Sequence, residues 1–177
     1  MAVLETRPLE RDDLTLPGDA FVVVCDRVQD PGNLGSIVRV ADAAGAHAVL
    51  ISAASCDLYN PKTVRTTMGS LFHLPVIQGG RALELIRWIR SKGITVAAAS
   101  QHGDLAYSHV DTRGAICWVM GNEAKGLSRE ALEACDVVVR IPMPGRAESL
   151  NVAAAASILM YEVVRQRMAG GDPVRAP

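Results

Sequence analysis

Apolar positions along the chain fall into two alternating rhythms. Phe21–Cys25, Ala48–Ile51, Leu74–Ile77, Ile94–Ala99, Ile116–Met120 and Val137–Ile141 are short, nearly unbroken apolar runs rich in valine and isoleucine. Runs of this length predict strands, and their lack of polar alternation predicts strands covered on both faces. Between them the spacing changes to the helical one. Ile37, Val40, Ala41 and Ala44 precede Gly45, and Leu83, Ile86 and Ile89 precede Gly93. Shorter helices are expected over Thr63–Gly69 and Ser128–Ala134, and a long alanine-rich helix over Ser149–Met168. Strands alternating with helices predict an α/β, Rossmann-like domain: a mostly parallel six-stranded sheet with helices on both faces. Residues 1–20 read as a polar connector, 21–169 as the domain, and 170–177 as a tail. No internal repeat is visible.

Composition narrows this picture. The 177 residues suit one domain, and a hydrophobic fraction of 49 % excludes a disordered chain. Aromatic residues make up only 4 %, so aliphatic side chains must build the core. The formal net charge of −1 argues against strong, sequence-blind binding of nucleic acid, though a local basic patch would suffice for an RNA substrate. Lys62, Arg65, Lys125, Arg129 and Arg146 could form such a patch, or could be ordinary surface charges. The four cysteines, Cys25, Cys56, Cys117 and Cys135, form no C-x-x-C pair. That disfavours a metal or redox site and suits reduced thiols in a cytoplasmic protein. Met1–Glu10 has no apolar signal core, and no stretch approaches the roughly 20 apolar residues of a membrane span.

The usual nucleotide signatures are missing. No G-x-G-x-x-G follows a strand, and Gly121–Ser128 fails as a P-loop because Leu127 stands where the lysine belongs. Three other segments carry candidate chemistry. Asp30–Arg39 is a strand–turn–helix junction in which Asn33 could cap the helix. Arg39 lies about 200° from Ile37 on that helix and so points away from the core stripe, where Asp42 is an ordinary partner. Gly121–Leu127 is a glycine-bounded loop after a strand, with Glu123 suited to a helix start. Ile141–Asn151 leaves a strand through two prolines and enters the long helix, which Ser149 could cap. Each segment alone has a plain structural explanation.

Taken in order, N-L-G-S-I-V-R, G-N-E-A-K-G-L and I-P-M…S-L-N-V-A-A-A resemble the motif set of the SPOUT superfamily, specifically the SpoU (TrmH-like) RNA 2′-O-ribose methyltransferases. Asn60-Pro61-Lys62 and Met68–Pro75 also match, so the resemblance spans about residues 22–164. It implies a C-terminal trefoil knot, S-adenosylmethionine as cofactor, an RNA substrate and a homodimer. It implies a cofactor site at Gly121, Ile141 and Leu150, with Met143, Ala98 and Ala99 as neighbours. The matching active-site residues are Asn33, Arg39, Glu123, Ser149 and Asn151. Arg39 would contact the ribose or its phosphate and assist loss of the 2′-hydroxyl proton, either directly or by holding a phosphate oxygen that accepts it. Asn33, Ser149 and Asn151 would orient Arg39 and the cofactor, and Glu123 would pair with Arg39 or face the sulfonium. Many such proteins carry an N-terminal RNA-binding domain, so this chain is expected to be either the catalytic domain of a longer protein or a short member. Ribosomal RNA is favoured over tRNA. The competing expectations are an assembly protein that has lost catalysis and an enzyme that methylates a base nitrogen.

Overall fold

The computed structural model describes residues 9–170. The apolar runs form a wholly parallel sheet whose strands are β1 (Phe21–Cys25), β2 (Ala48–Ile51), β3 (Val76–Gln78), β4 (Thr95–Ala99), β5 (Leu105–Ala106), β6 (Ile116–Met120) and β7 (Val137–Arg140), in the spatial order β3-β2-β1-β6-β4-β7-β5. Seven strands stand where six were expected. The additional β5 is two residues long, too short for any periodicity to register, and exists because Leu105 and Ala106 pair with Val139 and Arg140.

The helices are α1 (Pro31–Ala43), α2 (Pro61–Thr66), α3 (Ala82–Ser91), α4 (Arg129–Glu133) and α5 (Val152–Ala169). The strict two-residue repeat of the strands sends side chains to two separate layers. Phe21, Val23, Cys25, Trp118 and Met120 pack with the buried residues of α1 and α5. Val22, Val24, Cys117, Val119, Val96 and Ala98 pack with Leu85, Ile86 and Ile89 of α3 and with Ala131 of α4. Both faces are thus sealed, as the unbroken apolar runs require. Cys25 and Cys117 are buried as expected, and all four cysteines are free. Burial pushes the Cys25 thiol up to about 12, which keeps it protonated and inert.

Two helix starts differ from expectation. Asp30, not Asn33, caps α1, its carboxylate accepting from the Asn33 backbone N–H. Asn151, not Ser149, caps α5, its Oδ1 accepting from the N–H groups of Ala153 and Ala154. In both cases a second polar residue two or three positions away is released from capping and becomes available for other contacts. Of the connector, residues 9–20 are described. They hold a single 3-10 turn at Arg11–Asp13, and Asp12 accepts from the Trp88 indole N–H (3.1 Å). Most of the tail lies outside the described residues.

Every strand runs the same way, so every strand ends at one edge of the sheet. The chain builds β1, β2 and β3 outward in one direction, then places β4, β6 and β7 on the other side of β1. Ligands of open parallel sheets bind where the winding reverses, outside the carboxyl ends of the strands. Here the loops following β1, β4, β6 and β7 converge on that place.

Candidate active site

A cavity of about 440 Å³ opens among those loops. Ala99, Ser100, Gln101 and His102 line it from the end of β4. Asn122–Leu127 line it from the loop after β6, and Ile141, Met143, Glu148, Ser149 and Leu150 from the segment joining β7 to α5. Ile141, Met143, Leu150 and Ala99 were expected there. Gly121 is not in the wall but makes the wall possible. A Cβ on it would lie 2.6 Å from the Gly126 carbonyl carbon and 2.7 Å from the Leu127 nitrogen. Only glycine lets the two ends of the loop approach this closely. Gly126 itself sits at φ +62°, again in the region glycine favours. Ala98 is placed elsewhere: the pleat turns it into the core against α3, and it does not line the cavity.

Asn122 organises the loop from within. Its Oδ1 accepts from the N–H groups of Ala124 (3.1 Å) and Lys125 (2.9 Å), and its carbonyl accepts from the Gly126 N–H (2.9 Å). Its Nδ2 donates to the carbonyl of Arg27 (2.8 Å), tying the loop to the end of β1.

Three of the five candidate catalytic residues form one hydrogen-bonded relay from three separate elements. Asn151 Nδ2, at the cap of α5, donates to Asn33 Oδ1 (3.0 Å). Asn33 Nδ2, in the first turn of α1, donates to Glu123 Oε1 (3.1 Å). Glu123 also accepts from the backbone N–H groups of Gln29 and Asp30 (both 3.4 Å). Its carboxylate therefore does meet a helix start, but that of α1 and not of the helix downstream. The relay needs amides: each asparagine accepts with one atom and donates with the other, which neither a carboxylate nor an apolar residue can do. Partial burial pushes the Glu123 carboxyl up. The donors from Asn33, its own backbone, Gln29 and Asp30 outweigh that and hold it below the ordinary carboxylate range, so it is ionised at neutral pH.

Ser149 lines the cavity and is exposed, outside the relay. Arg39 is exposed on α1 and, among the described residues, has no hydrogen bond or ion pair. Asp42 pairs with His73 instead (3.6 Å), and Glu123 pairs with the amide of Asn33 and not with Arg39. Among the described residues, none of the other four candidates is hydrogen-bonded or ion-paired to Arg39. Of the five basic residues considered as a patch, Lys62 pairs with Asp30 (3.0 Å) and Arg129 with Glu133 (2.7 Å), while Arg65, Lys125 and Arg146 are exposed. No group of three His, Cys, Asp or Glu side chains among the described residues is placed to hold a metal ion, and no helix among them is long and apolar enough to cross a membrane.

Sequence reasoning missed Ser100, Gln101 and His102 in the cavity wall, and Asp26 and Arg27 beside the loop. The signal in the first case is a polar triplet straight after an apolar strand. In the second it is a charged pair at the same kind of position.

A cavity at the winding reversal with an amide–carboxylate relay at its edge fits a small-molecule site of a parallel α/β protein. The SpoU rRNA Methylase family matches residues 20–161, and the chain belongs to that family. It is 38 % identical over 175 residues to the 23S rRNA (uridine(2479)-2′-O)-methyltransferase of Streptomyces viridochromogenes, covering 96 % of this chain and 61 % of that protein. It is 37 % identical to the 23S rRNA (guanosine(2553)-2′-O)-methyltransferase RlmP of Bacillus subtilis, over 80 % of this chain and 57 % of that one. Among solved structures, the SpoU methyltransferase AviRb of Streptomyces viridochromogenes in complex with AdoMet superposes with a TM-score of 0.88 at 38 % identity, over 94 % of this chain and 68 % of that chain. The chain spans about three fifths of the length of the curated relatives it matches.

Proposed function

We propose that this chain is the methyl-transferring unit, over residues 21–169, of a cytoplasmic RNA 2′-O-ribose methyltransferase that uses S-adenosylmethionine and acts on ribosomal RNA. The observation that carries the reading is the Asn151–Asn33–Glu123 relay, which joins all three family motifs at the edge of a cavity of suitable size. The names of the relatives, both 23S rRNA 2′-O-methyltransferases, support the ribose and the ribosomal target.

The cavity suits the cofactor. Its volume lies within the usual range for small-molecule sites, and its apolar residues Leu127, Ile141, Met143 and Leu150 offer a slot for a flat adenine. When bound, S-adenosylmethionine would supply a methyl group on a positive sulfur, ready for transfer to a ribose 2′-oxygen with the thioether as leaving group and the hydroxyl proton passing to an acceptor. Because the leaving group is already activated, the residues of the chain have mainly to align the nucleophile, which alone supplies several kcal/mol. The relay holds the ionised Glu123 and the cap of α5 in fixed register around the cavity. Arg39, exposed and without a hydrogen bond or ion pair among the described residues, is available to RNA. A guanidinium keeps its proton, so Arg39 serves by gripping the phosphate whose oxygen accepts the 2′-hydroxyl proton.

The topology accords with a knotted C-terminal segment: residues 141–151 lead from β7 across the strand ends so that α5 packs on α1 and β6. A homodimer is part of the proposal, supported by the exposed apolar side chains of Met68, Phe72 and Tyr161. Light scattering at micromolar concentration tests it, and a monomer would count against it. The activity is tested by transfer of labelled methyl groups to ribosomal RNA, with an Arg39→Ala control that should lose the label.

A further inference from the structure

Arg27 occupies a position that the sequence motifs do not include. It follows the buried Asp26 at the end of β1 and adopts φ +54°, a left-handed conformation unfavourable for any residue with a Cβ. The surrounding bonds hold it there. Its backbone N–H donates to Ser52 Oγ (3.0 Å), and Ser52 Oγ donates to Asp26 Oδ1 (3.1 Å). Its guanidinium then does two things at once: Nε donates to Asp26 Oδ2 (2.9 Å), and a terminal nitrogen donates to the carbonyl of Gly126 (3.0 Å). Its own carbonyl accepts from Asn122 Nδ2 (2.8 Å).

One residue thus holds both ends of the loop after β6, the backbone gripping its start at Asn122 and the side chain its end at Gly126. Gly126 and Leu127 are part of the cavity wall. The buried Asp26 fixes the direction of the guanidinium, and the planar fork lets it serve a carboxylate and a carbonyl together, which an ammonium cannot reproduce.

We propose that Arg27 is a positioning residue that keeps the Gly126–Leu127 wall of the cofactor cavity in place before the cofactor arrives. This rests on the assignment of the cavity to S-adenosylmethionine. Preorganisation acts on affinity, so its loss raises the cofactor Kd and KM.

The decisive variant is Arg27→Gly. Glycine accepts φ +54° and retains the carbonyl bond to Asn122, so only the side-chain contacts are lost. Arg27→Lys retains a cation beside Asp26 without the fork. Both are measured against wild type by calorimetry with S-adenosylmethionine and by amide hydrogen exchange without it. We expect a rise in Kd of fivefold or more in both variants. Exchange at the Ala124, Lys125 and Gly126 amides should be at least tenfold faster, with the amides of β1 and β6 unchanged. Cofactor affinity within twofold of wild type, or protection lost equally from loop and strands, would overturn the proposal. The exchange measurement needs no ligand. A wild-type protein that failed to bind S-adenosylmethionine while its loop lost protection on substitution would therefore refute the assigned cofactor and leave the clamp standing.

Discussion

Replacing Asn33 with aspartate changes one atom of consequence and should reverse the pH response of the protein. In the native relay Asn33 Nδ2 donates to Glu123 Oε1 at 3.1 Å. Asn33→Asp puts a second carboxylate oxygen in place of that donor. The lost hydrogen bond to a charged group costs about 1.5–3 kcal/mol. Two like charges at that separation add about 1.5–2.5 kcal/mol in the high effective dielectric of a half-exposed site. The pair relieves this by taking up a proton, so one of the two carboxyls should titrate about 1–2 pH units above its ordinary value. Wild-type Glu123 has a lowered pKa. Its contribution to stability is present above the ordinary carboxylate range and is lost only as pH falls through the lower folded value, so that contribution should be flat between pH 5 and 8. The variant has a raised pKa, so it should regain stability as pH falls through about 6. At pH 8 its thermal midpoint should lie roughly 6–20 °C below wild type, and at pH 5 the gap should narrow by about a third. Asn33→Ala, which adds no charge, should show a smaller decrement that is the same at both pH values. Thermal melts of the three proteins at pH 5, 6.5 and 8 provide the assay. A variant as stable as wild type at pH 8, or a gap that does not change with pH, would refute the relay as described.

Other substitutions separate function from stability. Arg39→Ala removes an exposed side chain that has no hydrogen bond or ion pair among the described residues, so stability should stay within about 0.5 kcal/mol while methyl transfer falls by roughly a hundredfold or more. Gly121→Ala forces a Cβ to 2.6 Å from the Gly126 carbonyl carbon. The strain should cost about 1–3 kcal/mol and weaken cofactor binding, as a melt paired with calorimetry would show. Asn151→Ala loses the cap of α5 as well as the donor to Asn33, so it should cost about 1–2 kcal/mol, whereas Ser149→Ala should leave the melt unchanged.

Where the sequence was legible, the reason is burial. Six strands are apolar on both faces, and such runs are hard to mistake when glycine, proline and asparagine bound them. β5 was not legible because its two residues owe their conformation to β7 alone. The caps show a subtler limit. Asp30 and Asn33 are both good capping residues, and local pattern does not decide between them. The structure resolves the matter through Glu123, some 90 residues away, which occupies Asn33 as a partner. At α5 the cap itself, Asn151, makes the distant contact, donating to Asn33, while Ser149 lines the cavity. The site residues were readable only through their resemblance to a motif set, since each motif alone is an ordinary turn. What the motifs left out is contact across the fold: Arg27 reaches Gly126, 99 positions further on, and nothing in its local sequence marks it. Arg39 carries the opposite lesson: its spacing from Asp42 suggested an ion pair, but Asp42 pairs with His73, and Arg39 has no hydrogen bond or ion pair among the described residues.

The most direct test of the central claim is the chemical position of the transferred methyl group. The protein is incubated with ribosomal RNA and S-adenosylmethionine carrying a tritiated methyl group, and the RNA is then digested with alkali. Methylation of a 2′-oxygen blocks cleavage of the neighbouring phosphodiester. The account predicts label in alkali-resistant dinucleotides from ribosomal RNA, abolished by Arg39→Ala. Label recovered in mononucleotides, or no transfer by a protein that binds the cofactor, would contradict it.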